Sequence, residues 1–260
     1  MSCIFFDIDG TLWNVNNEIP ESAARTVKRL REMGHETFLC TGRSRAFIYD
    51  ENLLSLDFSG IISGCGTMIE YHGDTVFYKR LQNRDVERML VILREHGFRP
   101  VLEGREYLYL DWEDFSGTFY GEKLRREMGD KLHSIQEDWG RWEISKLSCA
   151  TENARRQECF DRLGDEYDFL IHDENVCEMV PKGFDKATGI QKVCELLDIG
   201  IEDTYAFGDS VNDLGMFRVV GKAIAMGNGS KAAKEAADYV TSPMFEDGIW
   251  NGCQHFGLLG

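Results

Sequence analysis

Two carboxylates stand two residues apart at the end of a short apolar run, as Asp7 and Asp9 of Phe6-Asp7-Ile8-Asp9-Gly10-Thr11. Strand side chains alternate, so the pair shares a side if the strand runs on, and Gly10 lets the backbone turn sharply or approach a ligand closely. Taken alone, this segment fits an acidic turn equally well. Three later segments change the balance. Cys40-Thr41-Gly42-Arg43 ends a second apolar run, Lys186 follows Asp185 at a helix start, and a third run ends in Gly208-Asp209-Ser210-Val211-Asn212-Asp213. Four carboxylates at one sheet edge would repel and raise each other's pKa values unless a divalent cation lay among them. Oxygen donors without His or Cys fit Mg²⁺. A Lys and a Thr hydroxyl facing that cation supply a point charge and a donor, which is what a phosphoryl group needs.

The elements that must hold these residues follow an alternating pattern. Ser2 to Phe6 is apolar without periodicity, as a strand buried on both faces would be. Ser22 reads as a helix N-cap, with Ala23, Val27 and Leu30 on one face until Gly34. A strand at Glu36 to Cys40, a helix from about Ser44 to Leu54 and a strand at Ile61 to Gly64 continue the series. This alternation predicts a Rossmann-like α/β core, a parallel sheet with right-handed crossovers. Thr67 to Lys79 reads as a hairpin about His72-Gly73-Asp74. From Asp85 the pattern becomes helices mixed with adjacent strands, which predicts an inserted α+β cap domain with an antiparallel sheet. Alternation resumes near Asp185 with strands at Thr204 to Phe207 and Ala223 to Met226. Residues 1–84 and 182–260 are therefore expected to form the core and residues 85–181 the cap. Hinges near Leu81 to Arg84 and Pro181 to Phe184 would let the cap close over the sheet edge.

At 260 residues, 43% hydrophobic and 28% charged, the chain has the composition of an ordinary globular protein. Its formal charge of -16 repels polyanions, so neither nucleic acid nor an anionic membrane surface is expected as a partner. The Arg125-Arg126 and Arg155-Arg156 pairs read as solvated helix faces. The eight cysteines and six histidines, His172 among them, are scattered without metal-ligand spacing. With no signal peptide and no apolar stretch long enough to span a bilayer, a cytoplasmic location with reduced thiols is expected. The oligomeric state is not legible.

In the order and content of its motifs the chain resembles the haloacid dehalogenase-like phosphatases, specifically the Cof-like group with a large cap between the second and third motifs. The carrying segments are Phe5 to Thr11, Cys40 to Arg43, Lys186, Gly208 to Asp213, and the closing Ala225-Met226-Gly227-Asn228 and Ala237-Asp238-Tyr239-Val240-Thr241. The resemblance implies Asp7 as a nucleophile that forms an aspartyl-phosphate and Asp9 as the acid that protonates the leaving alcohol. It implies Thr41, Gly42, Arg43, Lys186 and Asn212 about the phosphate or substrate. Mg²⁺ would be held by Asp7, Asp209 and the backbone carbonyl of Asp9, with Asp213 orienting Lys186 or a metal-bound water. The implied activity is Mg²⁺-dependent hydrolysis of a small phosphorylated metabolite, a sugar phosphate for preference. A phosphosugar mutase and a non-catalytic sugar-phosphate sensor are the alternatives. Two departures stand out: Gly64-Cys65-Gly66-Thr67 where many relatives have Asn-Gly-Ala, and Ala187 after the lysine instead of Gly.

Overall fold

The computed structural model describes residues 1–152, 154–171 and 175–260. His172 therefore lies outside the described residues. In chain order the first elements are β1 (Cys3–Phe6), α1 (Glu21–Glu32), β2 (Glu36–Cys40), α2 (Glu51–Leu54), β3 (Gly60–Ser63), β4 (Met68–Tyr71) and β5 (Asp74–Tyr78). There follow α3 (Asn83–Glu95), β6 (Arg99–Gly104), β7 (Leu108–Leu110), α4 (Trp112–Phe115), α5 (Phe119–Met128), β8 (Leu132–Ser134), β9 (Ile144–Ala150), α6 (Arg156–Leu163), β10 (Tyr167–Ile171) and β11 (Val176–Pro181). The last stretch holds α7 (Lys186–Leu197), β12 (Thr204–Gly208), α8 (Leu214–Phe217), β13 (Lys222–Ala225), α9 (Lys231–Ala236), β14 (Tyr239–Val240) and α10 (Gly248–His255). The chain forms two compact units. One comprises Met1–Gly42, Tyr49–Phe77 and Asp185–Gly260, and the other Arg43–Ile48 and Tyr78–Phe184.

The first unit is built on an eight-stranded sheet in the order β14-β13-β12-β1-β2-β3-β4-β5. From β14 to β3 the neighbours run parallel, and β4 turns back against β3. All four residues of β1 are buried, since both of its faces are covered, and this is why it reads as an unbroken apolar run. Cys3 and Phe5 face a core of Phe38, Cys40, Ile62, Ile190, Val193 and Met216, drawn from β2, β3, α7 and α8. Phe6 stacks on Phe207 at 5.2 Å between ring centroids. Phe6 is in register with both Phe207 and Leu39, so β12, β1 and β2 end side by side. The chain leaves β1 toward β2 on one side and reaches β12 on the other. Such a switch point opens a crevice at the carboxyl ends of the strands.

The second unit has a six-stranded sheet in the order β10-β11-β9-β6-β7-β8. Its pairs are antiparallel except β7 with β8, which run parallel. The expectation of a wholly antiparallel sheet missed β8, whose three half-buried residues are too few to show a period. One face carries a core of Leu90, Leu93, Leu102, Trp142, Leu147 and Met179.

Two local readings are corrected. The helix expected from Ser44 to Leu54 is a single 3₁₀ turn at Arg45–Phe47 followed by the one-turn α2. The Asp50 side chain accepts the Leu53 N–H at 3.1 Å and so starts a new helix there. Ser22 is not a cap: α1 begins at Glu21 after Pro20, and Ser22 is buried inside the first turn, its carbonyl accepting the Thr26 hydroxyl at 2.6 Å. Arg125, Arg126 and Arg155 are exposed, as solvated faces should be, and Arg156 is half-buried. Arg125 lies 4.9 Å over the Trp112 ring, and Arg156 donates to the Thr151 hydroxyl at 2.9 Å.

Candidate active site

β1 delivers Asp7 directly at its carboxyl end, where the Asp7 N–H donates to the Phe207 carbonyl of the neighbouring strand at 3.0 Å. The side chain is 5% exposed. Opposite it stands Lys186, the first residue of α7. That helix start is fixed by a capping box: Asp185 accepts the Thr188 N–H at 2.7 Å while the Thr188 hydroxyl accepts the Asp185 N–H at 2.9 Å. A cation in a first helical turn opposes the helix dipole. Here the cost is offset by two carboxylates, because Lys186 Nζ donates to Asp7 Oδ1 at 2.5 Å and to Asp213 Oδ1 at 2.6 Å.

Asp213 is fully buried, and both its oxygens are engaged. While Oδ1 faces the lysine, Oδ2 accepts the Asp209 and Ser210 N–H groups at 2.8 and 2.9 Å. This fastens the turn that follows β12. Gly208 is required beside it, since a Cβ there would lie 2.6 Å from Asp213 Cγ. Asp209 is half-buried and accepts the Thr11 hydroxyl at 3.4 Å. Gly10 brings the two turns together: its φ is +85°, and a Cβ would meet Asp209 Cγ at 2.6 Å.

Oxygens of Asp7, Asp209 and Asp213 all lie within 4.8 Å of one another. Three carboxylates share one ammonium, and the surplus of negative charge is buried. Burial, reinforced by Asp213, pushes the Asp7 carboxyl well above the usual carboxylate range against the pull of Lys186. Burial and Asp213 likewise push Asp209 up to about 6. For Lys186 burial works against the charge, but Asp213 and Asp7 outweigh it and hold the ammonium protonated. A site of oxygen donors short of positive charge fits a hard divalent cation.

The remaining expected residues are placed as follows. Asp9 is exposed and its side chain is not one of that carboxylate group; its Oδ1 accepts the Trp13 indole N–H at 2.9 Å. The expected cluster of four side chains is therefore three, because the strand ends at Phe6 and the alternation that would align Asp9 with Asp7 stops there. Thr41 is buried just beyond β2, its N–H on the Ile62 carbonyl at 2.9 Å and its own carbonyl accepting the Cys65 N–H at 3.1 Å. Gly42 follows it half-buried, and Arg43 belongs to the second unit. Asn212 is exposed on the turn after β12, accepting the Ser210 hydroxyl at 2.7 Å. Gly64 sits at φ 58°, a left-handed position that Gly and Asn both tolerate, so the departure from Asn keeps the backbone.

Sequence reasoning gave no role to three residues that brace these turns. Besides Thr11 and Trp13 there is Asn228, which donates to the Gly10 carbonyl and accepts the Met244 N–H, each at 2.8 Å. Asn228 stands in the closing motif, a signal that could have found it; Trp13 stands in a stretch dominated by Asn and carried no such mark. Among the described residues no disulfide forms, all eight cysteines are buried, and no helix is long and apolar enough to cross a membrane.

Comparison with known proteins accords with this geometry. A family profile described as haloacid dehalogenase-like hydrolase matches residues 4–252. The chain is 34% identical to the Bacillus subtilis (strain 168) protein named "Putative phosphatase YkrA", over 98% of this chain and 98% of that protein. It is 26% identical to "5-amino-6-(5-phospho-D-ribitylamino)uracil phosphatase YitU" of the same organism, over 95% of this chain and 94% of that one. Among solved structures, a hypothetical protein from Geobacillus kaustophilus HTA426 superposes with a TM-score of 0.86 at 27% identity, covering 99% of each chain.

Proposed function

This chain belongs to the haloacid dehalogenase-like hydrolases, and from that premise we propose that it is a phosphatase that hydrolyses small phosphomonoesters through an aspartyl-phosphate on Asp7. One observation carries the reading: a buried carboxylate at the end of the central strand, held by Lys186 and flanked by Asp209 and Asp213. Asp7 Oδ1 is fixed by the lysine, which orients the carboxylate and offsets charge on the incoming phosphoryl group. Asp213 acts on Lys186 and on the Asp209 turn, so it positions the pair. Thr41, with Gly42, Lys186 and Asn212, would bind the phosphoryl group, and Arg43 the substrate. Mg²⁺ would be held by Asp7, Asp209 and the Asp9 carbonyl, and when bound it neutralises charge developing on the transferred phosphoryl oxygens.

Two steps on these residues complete the turnover. As the Asp7 oxygen bonds to phosphorus, the bond to the alcohol oxygen breaks, and that oxygen takes the Asp9 proton. In the second step Asp9, now a carboxylate, takes a proton from the water that attacks the aspartyl-phosphate, releasing phosphate and restoring Asp7.

The substrate class we infer is a sugar phosphate or a similar polyol phosphate. YitU is named for a substrate whose phosphate sits on a ribityl chain, and such a primary polyol phosphate falls within that class. The inserted segment 85–181 is read as the cap that selects among them. A panel of sugar phosphates, ribityl phosphates, nucleotides and pyridoxal phosphate, scored by phosphate release with and without Mg²⁺, tests both levels. No release from any member overturns the phosphatase reading. A nucleotide or pyridoxal phosphate with the highest kcat/KM overturns the substrate class alone.

A further inference from the structure

An exposed aspartate on a turn ordinarily samples several rotamers, yet the Asp9 side chain and both of its chain neighbours are bonded to one residue. Trp13 donates its indole N–H to Asp9 Oδ1 at 2.9 Å. Its backbone N–H reaches the Ile8 carbonyl at 3.1 Å, and its carbonyl accepts the Gly10 N–H at 2.9 Å. The residues on either side of Asp9 are thus tied to the residue that holds its carboxylate. Trp13 is 2% exposed, so the packing of its side chain sets where the N–H points. We propose that Trp13 is the positioning residue for Asp9, holding the acid of the phosphatase reaction in one orientation with its donor-only indole.

The inference rests on the reading of Asp9 as the acid. An indole N–H donates and never accepts, which favours the carbonyl-like oxygen at Oδ1 and so the acid proton at Oδ2. That oxygen delivers the proton to the ester oxygen as the P–O bond to the alcohol breaks and the Asp7–phosphorus bond forms. Asp9 is left a carboxylate, whose hydrogen bond to the indole is charge-assisted. Without the N–H the carboxyl samples orientations that do not reach the leaving oxygen, and the loss falls on substrates that need protonation.

That selectivity is the test. Trp13→Phe keeps an aromatic ring and removes the donor. With Mg²⁺ present, kcat/KM is measured for phenyl phosphate, whose phenolate needs a proton, and for 2,4-dinitrophenyl phosphate, whose leaving group departs without one. The expected result is a fall of about tenfold or more for the first and little change for the second, with Asp9→Asn showing the same pattern more strongly. Equal falls for both esters would mean a merely structural tryptophan and overturn the proposal. An Asp9→Asn enzyme without selectivity brings down the acid assignment and the proposal with it, so the two failures are distinguishable. The ratio of two esters on one preparation is insensitive to any inactive fraction. Should Trp13→Phe not fold, ¹⁵N-tryptophan labelling of the wild-type and Asp9→Ala proteins decides: one indole N–H resonance moves upfield if the bond exists, and an unmoved set overturns it.

Discussion

Lys186 Nζ lies 2.6 Å from Asp213 Oδ1, in a pair of which neither side chain is more than 3% exposed. Both Asp213 oxygens accept hydrogen bonds, one from the ammonium and the other from two backbone amides. Asp213→Asn should therefore lower stability by about 3 kcal/mol, since it removes one partner of a buried charge pair. Asp7→Asn should abolish turnover without that loss. Its native carboxyl is raised well above the unfolded value, so above that unfolded value the ionised form is disfavoured by folding, and removing the charge relieves it. Urea denaturation of the two variants at neutral pH, without metal, checks the contrast. Equal destabilisation would contradict it.

The second prediction concerns the cation. EDTA should abolish phosphate release and Mg²⁺ restore it, while Mg²⁺ at a hundred times its Kd should add about 2.7 kcal/mol to unfolding. Asp209→Asn should lose most of that gain, because Asp209 contributes one of the clustered oxygens. Thermal melts with and without Mg²⁺ measure it. Full activity in EDTA would show the metal assignment to be wrong.

A third expectation is remote from the site. Burial holds the His35 imidazole below its usual value of 6.5, and Nδ1 must stay unprotonated to accept the Ser2 N–H at 3.1 Å. A histidine whose folded pKa is depressed contributes stability that is fully present above 6.5 and is lost as pH falls through the folded value. The ring should titrate below 6.5 by proton NMR, and His35→Asn should flatten the stability profile in that window. A midpoint at or above 6.5 is the contrary result.

Much of this was legible because chemistry and topology wrote it in the same places. Asp7, Thr41 and Asp209 each follow an apolar run, and parallel strands in register bring such ends together. Lys186 was legible from its odd position in a first helical turn. What could not be read was direction. Nothing in the spacing says that Asp9 turns from Asp7 toward an indole four residues on, or that Asn228 reaches Gly10 across 218 positions. The short elements were lost for a related reason: α2 is set by one Asp50 hydrogen bond, and β8 by pairing with a strand too distant in sequence to signal it.

The last prediction separates two glycines by what surrounds them. Gly34 has a φ of +81° but nothing within 4 Å of the point a Cβ would occupy, so Gly34→Ala strains only the backbone and should cost about 1 kcal/mol with kcat unchanged. Gly208 has no positive φ, yet a Cβ would sit 2.6 Å from Asp213 Cγ and 2.7 Å from its Cβ. Gly208→Ala must therefore push Asp213 off Lys186 or off the Asp209 and Ser210 amides. Overpacking of this kind costs about 1–3 kcal/mol. The displaced carboxylate also releases the lysine that fixes Asp7, so kcat should fall well beyond what the stability loss explains, with the folded fraction fixed by circular dichroism at the assay temperature. If Gly208→Ala keeps wild-type kcat while Gly34→Ala loses it, the claim that Asp213 positions the Lys186–Asp7 pair is wrong.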